Sequence, residues 1–175
     1  MPADGVDLGD YLRNFVRSAF RLETRQVYTI ASEAERVRRF LAGQPKDDES
    51  AQQWVGLVRS NISAGKTMTR AKIVRRPFTD YTRYLMEWGV PRNVRAGEDY
   101  RILDLTDREV DLPQQDFWLF DETTVLLLNF NPDGTPRNPE LVESADIGQY
   151  LRWRDLALAE AVPFAEYNQG ANGAR

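Results

Sequence analysis

The 175-residue chain has an ordinary globular composition, with 42% hydrophobic residues, 29% charged residues and a formal net charge of −4. This acidic balance makes direct nucleic-acid binding an unfavoured function, because such proteins concentrate Lys and Arg to neutralise phosphates. The sequence contains neither cysteine nor histidine. These absences exclude disulfides and thiolate chemistry, and they remove the commonest general base and the commonest metal ligand. We therefore expect neither a metal nor a cofactor.

The sequence has no apolar run that approaches the length of a membrane span, and residues 1–10 lack the basic and apolar regions of a signal peptide. A soluble, cytoplasmic protein without membrane contact is therefore the expectation. The length suits one domain. We place that domain at residues 1–167 and expect residues 168–175 to form a disordered C-terminal tail.

Helices and strands alternate in the first half of the chain. Apolar residues at helical spacing predict a helix over residues 7–19, and partial alternation predicts a strand over residues 20–28. A capping box at residues 32–35 indicates the start of a second helix. Residues 49–64 carry a further apolar stripe at helical spacing, which predicts a third helix that ends before a glycine.

The second half begins with an alternating strand over residues 66–76. Thr79 is a candidate N-cap of the next helix, which we expect to break at residues 89–91 because they contain glycine and proline. Clean alternation predicts a strand over residues 99–105. The last element is a helix over residues 144–167, interrupted near a proline.

The most apolar part of the sequence lies at residues 116–130 and consists of two short runs separated by a polar segment. Both runs are too short for a helix and are rich in aromatic or aliphatic residues, which favours strands. We predict a β-hairpin with Asp121 and Glu122 in its turn. Its buried strands require helices on both sides, so the sequence predicts an α/β fold: one layered domain with a mixed central sheet covered on both faces.

Cations concentrate between residues 66 and 101, where nine Lys or Arg face only four acidic residues. Alternation places Arg70 and Lys72 on one strand face that they share with Met68 and Val74. Charged groups on a partly apolar face must reach solvent, pair with carboxylates or line a cleft. Such a face would bind a phosphate or an acidic partner, unless it is only a solvated surface. We predict an ion pair from Arg70 or Lys72 to Glu98, Asp116 or Asp121.

Three carboxylates are candidates for acid/base chemistry or cation binding. Asp116 and Asp121 flank the first hairpin strand, and Glu98 follows a glycine that permits a sharp turn. Turn and capping chemistry alone would place acidic residues at the same positions. The candidate ligand-binding or partner-binding residues are Arg70, Lys72, Arg75, Tyr81, Arg83, Glu98, Asp116, Trp118 and Asp121, with no catalytic and no metal-binding residue among them.

Four segments carry a family resemblance, namely residues 70–74, 77–81, 93–98 and 116–121. They resemble a family of uncharacterised actinobacterial proteins that are often encoded beside helix-turn-helix regulators. The order of elements is also similar to one half of a phospholipase D-like domain. Enzymes of that kind use a His-x-Lys motif, and the chain has no histidine, so this resemblance implies a non-catalytic version.

Two functions remain open from the sequence. The family resemblance implies a non-catalytic regulatory or protein-interaction domain that acts with a helix-turn-helix transcriptional regulator. The alternative is a protein that binds, or an enzyme that acts on, a phosphate-bearing small molecule or nucleotide through the cationic strand face. Arg70, Lys72, Arg75 and Arg83 would then hold the anion, with Asp116 or Glu98 as acid or base. A homodimer is compatible with either function.

Overall fold

The computed structural model describes residues 5–47 and 49–173, and their side chains as far as residue 170. These residues form one seven-stranded mixed sheet in the order β6-β5-β4-β1-β2-β3-β7. Strands β1, β2 and β3 run parallel to one another, and the other neighbouring pairs are antiparallel. The strands are β1 Ser18–Glu23, β2 Thr67–Val74, β3 Asp99–Asp104, β4 Asp116–Phe120, β5 Thr124–Leu128, β6 Glu140–Leu141 and β7 Val162–Pro163.

Helices cover both faces of this sheet, which confirms the predicted α/β class. One face packs against the first five helices, and the other packs mainly against the sixth. The helices are α1 Leu8–Asn14, α2 Ala34–Leu41, α3 Gln52–Ser63, α4 Asp80–Tyr84, α5 Val90–Ala96, α6 Ile147–Glu160 and α7 Phe164–Gly173. Short 3-10 turns at Ala31–Glu33 and Glu49–Ala51 precede α2 and α3.

The predicted hairpin is confirmed as β4 and β5. All five residues of β4 are buried, and each of them pairs with a residue of β5. Asp121 and Glu122 form the turn with left-handed φ values of 53° and 60°. Such φ values suit a tight hairpin because they match the right-handed twist of the flanking strands. The hairpin joins the sheet through β4, which pairs with the central strand β1.

The predicted helix break at residues 89–91 is wrong. Residues 80–96 are continuously helical, because a π-helical turn, Leu85–Gly89, joins α4 to α5. Val90 N–H donates to the carbonyl of Leu85, five residues earlier. Pro91 has no N–H to give and would clash with a carbonyl in a regular α-helix, so the wider turn just before it accommodates the ring.

Two predictions about element ends also need correction. The capping box at residues 32–35 does not form, since no described side chain caps α2 and Glu33 instead accepts a hydrogen bond from Tyr81. Residues 168–173 belong to α7 rather than to a disordered tail. Buried Phe164 and the bond from the Tyr167 hydroxyl to Asp104 (2.8 Å) hold the start of this helix on the sheet. Residues 174 and 175 lie outside the described residues.

Candidate functional site: a cavity over the charged sheet face

Two rows of polar and aromatic side chains cross the sheet face that packs against α1–α5. Residues in register on neighbouring strands point to the same face. The first row runs over β4, β1, β2 and β3 and consists of Trp118, Arg21, Arg70 and Tyr100. The second row lies two residues away along the strands and contains Asp116, Glu23 and Lys72. This face therefore carries the predicted cations, but it also carries their counter-charges.

Arg70 forms the predicted ion pair. Its Nε donates to Glu98 Oε1 at 2.7 Å, and its Nη1 donates to Glu23 Oε1 in a short hydrogen bond. Both carboxylates are buried, as is the guanidinium. The Arg70 guanidinium also lies 5.2–5.6 Å from three aromatic ring centroids, those of Trp54, Tyr100 and Trp118. Arg70 is thus fixed in place by two charges and three rings.

Lys72 and Arg21 are neutralised in the same way. Lys72 is completely buried, and its Nζ donates to the carbonyl of Arg25 (3.1 Å) and lies 3.6 Å from Glu23 Oε2. Arg21 Nη2 lies 3.2 Å from Asp116 Oδ2, and its Nη1 lies 3.8 Å from Glu23. Three cations and three carboxylates therefore form one buried charge cluster: Arg21, Arg70, Lys72, Glu23, Glu98 and Asp116.

Burial and pairing act in opposite directions on the acids of this cluster. Burial alone would raise the pKa of Glu23, but Arg70, Arg21 and Lys72 outweigh it and the pKa lies well below its usual range. Burial raises the pKa of Glu98, and its single close cation, Arg70, offsets only part of that effect. Burial lowers the pKa of Lys72, which Glu23 partly offsets.

Asp116 and Asp121 do not act at one site, since they lie at opposite ends of β4 and bind different groups. Asp116 accepts hydrogen bonds from Thr24 N, Thr24 Oγ1 and the Tyr28 hydroxyl at 2.8, 2.6 and 2.6 Å. It thereby holds the loop after β1 against the sheet. Asp121 lies in the hairpin turn, and its side chain accepts from three backbone N–H groups before and at the start of β1.

A cavity of about 410 Å³ lies over the charge cluster, within the size range of small-molecule sites. Its apolar wall comes from α1, the π-helical turn and the segment after β5. Leu8, Leu12, Leu85, Val90 and Leu128 contribute to that wall. Its aromatic residues are Tyr28, Trp54, Tyr81, Tyr100, Trp118 and Phe130. The charged residues that line it are Arg21, Arg36, Arg70, Arg92 and Arg137 against Glu23 and Glu33.

Arg92 is the buried cavity arginine that has no hydrogen-bonding partner among the described residues. The residue is only 8% exposed, yet no described residue accepts a hydrogen bond from its side chain or forms an ion pair with it, and its Nε and Nη1 are enclosed. The neighbouring Asn93 also lines the cavity, with its Oδ1 lacking a partner among the described groups. Buried polar groups are normally bonded, so an enclosed, unbonded guanidinium indicates a missing partner.

Arg36 stands beside Arg92 but has partners. Its Nε donates to the Tyr84 hydroxyl at 3.1 Å and its Nη1 donates to Ser50 Oγ at 2.9 Å. Burial raises the pKa of Tyr84, and the nearby charges of Arg36 and Arg92 lower it in part. Both guanidinium groups thus lie close to the same hydroxyl, at the helical side of the cavity.

The sequence analysis missed Arg36, Arg92 and Glu23. Arg92 had one available signal, because it follows Leu85 and Trp88 at helical spacing and so falls on the buried stripe of that helix. The expected break at residues 89–91 hid this signal. Glu23 could be paired with Arg70 only after the register of β1 and β2 was known.

The other predicted site residues divide into two groups. Tyr81 and Trp118 line the cavity, and the Tyr81 hydroxyl donates to Glu33 at 2.8 Å. Two exposed arginines do not line it. Arg75 donates to the carbonyl of Leu105 (2.8 Å), and Arg83 pairs with Asp80 (3.0 Å) on the surface of α4. These two arginines therefore do not act with Arg70 at one site.

Residues 5–47 and 49–173 contain no group of three or more acidic, histidine or cysteine side chains placed to hold a metal ion. None of their helices combines the length and the apolar character needed to cross a membrane.

Comparison with known families identifies the domain type. The family model DUF6879, described as a domain of unknown function, matches residues 6–169. No curated protein gives a significant match. The matched segment contains all seven strands and most of the helical residues described above. Because the match spans nearly the whole chain, this protein belongs to the DUF6879 family.

Proposed function

We propose that this chain is a small-molecule-binding domain whose cavity holds an organic anion with its acidic group against Arg92. The observation that carries this proposal is the guanidinium of Arg92, whose Nε and Nη1 are enclosed and from which no described residue accepts a hydrogen bond. A guanidinium binds carboxylates and phosphates through paired N–H groups, so an anionic ligand is the partner whose chemistry fits.

The charge balance of the cavity supports an anion. Five arginines and two glutamates line it, and the buried residues directly behind them add one cation and two carboxylates. Cations therefore remain in excess, although the whole chain carries a formal charge of −4. A positive site with low-dielectric walls attracts anions more strongly than the net charge suggests.

The walls of the cavity indicate what the rest of the ligand is like. Aromatic and aliphatic side chains form most of the lining, and polar groups occupy a limited part of it. Ligand sites commonly have this composition, in which apolar walls supply contact area and a few polar groups fix the orientation. An anion with an apolar body thus fits better than a small inorganic ion.

A thermal-shift screen of organic anions tests the proposal. A ligand that binds only the folded protein, at 100 times its Kd, should add about 2.7 kcal/mol, which raises the Tm of a domain of this size by roughly 5 to 11 °C. Arg92→Gln should abolish the shift. Arg95→Gln is the matched control, because Arg95 is exposed on the same helix and does not line the cavity. A screen without a hit, or a shift that survives Arg92→Gln, would contradict the proposal.

The regulatory function expected from the sequence is compatible with such a cavity. A domain that acts with a helix-turn-helix regulator in the cytoplasm could use the bound anion as its signal. This part of the proposal is supported by the family resemblance of segments such as residues 116–121. The order of elements, similar to one half of a phospholipase D-like domain, likewise supports a non-catalytic role. Co-purification with a tagged chain from its native host tests the partner, and recovery of no DNA-binding protein counts against it.

A further inference from the structure

We infer that the acidic group bound by Arg92 is a carboxylate with a single negative charge, not a phosphate dianion. This inference rests on the proposed function and makes the ligand an apolar carboxylic acid. It follows from how many positive charges the cavity leaves available. A carboxylate needs one guanidinium, whose planar pair of N–H groups matches its two oxygens. A phosphate dianion needs a second charge or several further donors.

The other arginines with buried side chains in the cavity are already engaged. Arg70 is held by Glu98 and Glu23, and Arg21 lies against Asp116. Arg36 uses two of its nitrogens on the hydroxyls of Tyr84 and Ser50. Among the cavity-lining arginines that are not exposed, Arg92 alone has neither an acid nor a hydroxyl partner among the described groups. The hydroxyls beside Arg36 do not neutralise its charge, but Glu33 lines the same cavity without a cation partner among the described residues. With the exposed Arg137 left out, the groups in and behind the cavity carry one net positive charge, from five cations (Arg21, Arg36, Arg70, Arg92 and Lys72) and four carboxylates (Glu23, Glu33, Glu98 and Asp116).

Carboxylates of the protein oppose a second negative charge. Glu23 and Glu33 both line the cavity. Their repulsion acts in an environment where charges are poorly screened, so each additional ligand charge increases the cost of binding. A monoanion is compensated by Arg92, whereas a dianion leaves one charge facing these two glutamates.

Backbone amides do not replace the missing cation. Many phosphate sites use the free N–H groups at a helix N-terminus. The π-helical turn joins α5 to α4 without interruption, so the amides beside Arg92 are inside a helix. Glu33 is the N-cap residue of α2 and lines the cavity, so a phosphate at that helix end would face its carboxylate. Both helix ends nearest the ligand thus disfavour a phosphate.

A matched set of three ligands on one ring system tests the inference by calorimetry. The probes are 1-naphthylacetate, the neutral 1-naphthylacetamide and 1-naphthyl phosphate. At pH 8 we expect the carboxylate to bind roughly 10- to 100-fold more tightly than the amide, the effect of one charge-assisted hydrogen-bond pair. We expect the phosphate to be at least about tenfold weaker than the carboxylate. Its disadvantage should shrink at pH 5.5, where the dianion takes up one proton and becomes a monoanion, since the second pKa of a phosphate monoester is about 6.

Variants at one position separate charge recognition from shape. Arg92→Gln should lower the affinity for naphthylacetate to that for the amide and leave the affinity for the amide unchanged. Arg92→Lys keeps the charge without the paired N–H groups and should give an intermediate affinity. Arg95→Gln should bind all three probes as the wild type does. The melting temperature of each variant without ligand shows whether the domain remains folded.

The outcomes distinguish this inference from the proposal beneath it. A naphthyl phosphate that binds at pH 8 as tightly as the carboxylate, with binding lost in Arg92→Gln, would overturn the inference and leave an anion-binding domain. Naphthylacetate bound equally well by Arg92→Gln would overturn it by placing the acid elsewhere. If none of the anions binds at millimolar concentration, the proposed function itself fails.

Discussion

Arg70 and Arg92 line the same cavity, are buried to a similar extent and carry the same charge, but their surroundings differ. Arg70 lies on strand β2 and has two carboxylates and three aromatic rings around its guanidinium. Arg92 lies on helix α5 and contacts no acid among the described residues. Burial of a cation is therefore not enough to identify a binding site. A buried cation indicates a binding site when no acid of the protein already compensates its charge.

The difference follows from the elements that carry the two side chains. Register across the parallel strands brings Glu23 beside Lys72 and within reach of Arg70, and Glu98 is the residue directly before β3. Sheet pairing therefore fixes a cation and its acids together. The direction in which the Arg92 side chain points depends on the rotation of one helix, which the π-helical turn sets. No strand pairing brings an acid to Arg92, so we expect its anionic partner to be a ligand.

The largest effect should come from breaking the matched site. Arg70→Met leaves Glu23 and Glu98 buried with reduced compensation, and we expect a loss of roughly 3–5 kcal/mol in the free energy of unfolding. Urea denaturation at pH 7 measures it. Adding Glu98→Gln to Arg70→Met removes one of the stranded charges and should recover part of the loss. A loss below about 1 kcal/mol would mean that Arg70 is not structural.

Removing the charge of Arg92 should increase the free energy of unfolding, whereas removing that of Arg70 should decrease it. Arg92→Met removes an enclosed charge without stranding an acid, so the ligand-free protein should gain roughly 1–3 kcal/mol. The same variant should lose binding of 1-naphthylacetate. Substitutions in binding sites commonly stabilise a protein while they reduce its function. A destabilised Arg92→Met protein would show that Arg92 has a structural partner, and the contrast with Arg70 would disappear.

Asp121 provides a third case, a carboxylate matched by backbone alone. Its oxygens accept from the N–H groups of Val16, Arg17 and Ser18 at 2.8, 2.6 and 3.0 Å. Burial raises its pKa, but these bonds outweigh burial and the pKa is lowered on folding. The stabilisation is therefore complete above the unfolded pKa, about 4, and is lost as the pH falls through the folded pKa.

Asp121→Asn should consequently cost roughly 1–2 kcal/mol at pH 7, an amount typical of a lost cap. The difference from the wild type should begin to shrink as the pH falls from 5 to 3, because the carboxyl of the unfolded chain takes up its proton in this range, before the folded carboxyl with its lower pKa. Denaturation curves over this pH range measure it. Asp111→Asn, at an exposed position, is the control. A difference that stays constant with pH would show that the charge of Asp121 contributes nothing.

Local patterns were sufficient to predict much of the fold. The hairpin and β2 follow from residue alternation and turn chemistry, which are properties of a few consecutive residues. The same alternation predicted that Arg70 shares a face with Met68 and must find a carboxylate, and Glu98 is that carboxylate. A charged side chain on a partly apolar strand face can only reach solvent, pair with a carboxylate or line a cleft. This part of the site could therefore be predicted.

The rest of the site depends on information that local patterns do not carry. Glu23 reaches Arg70 because β1 and β2 pair in one register, and the sequence does not state that register. Arg92 faces the cavity because the helix continues past Pro91 through a π-helical turn, where proline normally indicates an end. Sequence reasoning found the matched cations and missed the unmatched one for this reason.

The smallest effect should come from Arg83, which the sequence analysis grouped with Arg70 as an anion donor. Its pair with Asp80 spans 3.0 Å on the surface of α4, with the two side chains 51% and 67% exposed. Solvent and salt screen such pairs, which typically contribute 0.2–1 kcal/mol.

Arg83→Met should therefore change the free energy of unfolding by less than about 1 kcal/mol, and the change should diminish further in 1 M salt. It should leave binding of 1-naphthylacetate unchanged, because the described lining of the cavity does not include Arg83. Calorimetry and urea denaturation at two salt concentrations measure both quantities. A tenfold loss of affinity in Arg83→Met would place the anion outside the cavity, on the surface of α4. The difference between Arg70, whose charge is compensated, and Arg92, whose charge is not, would then be irrelevant to binding.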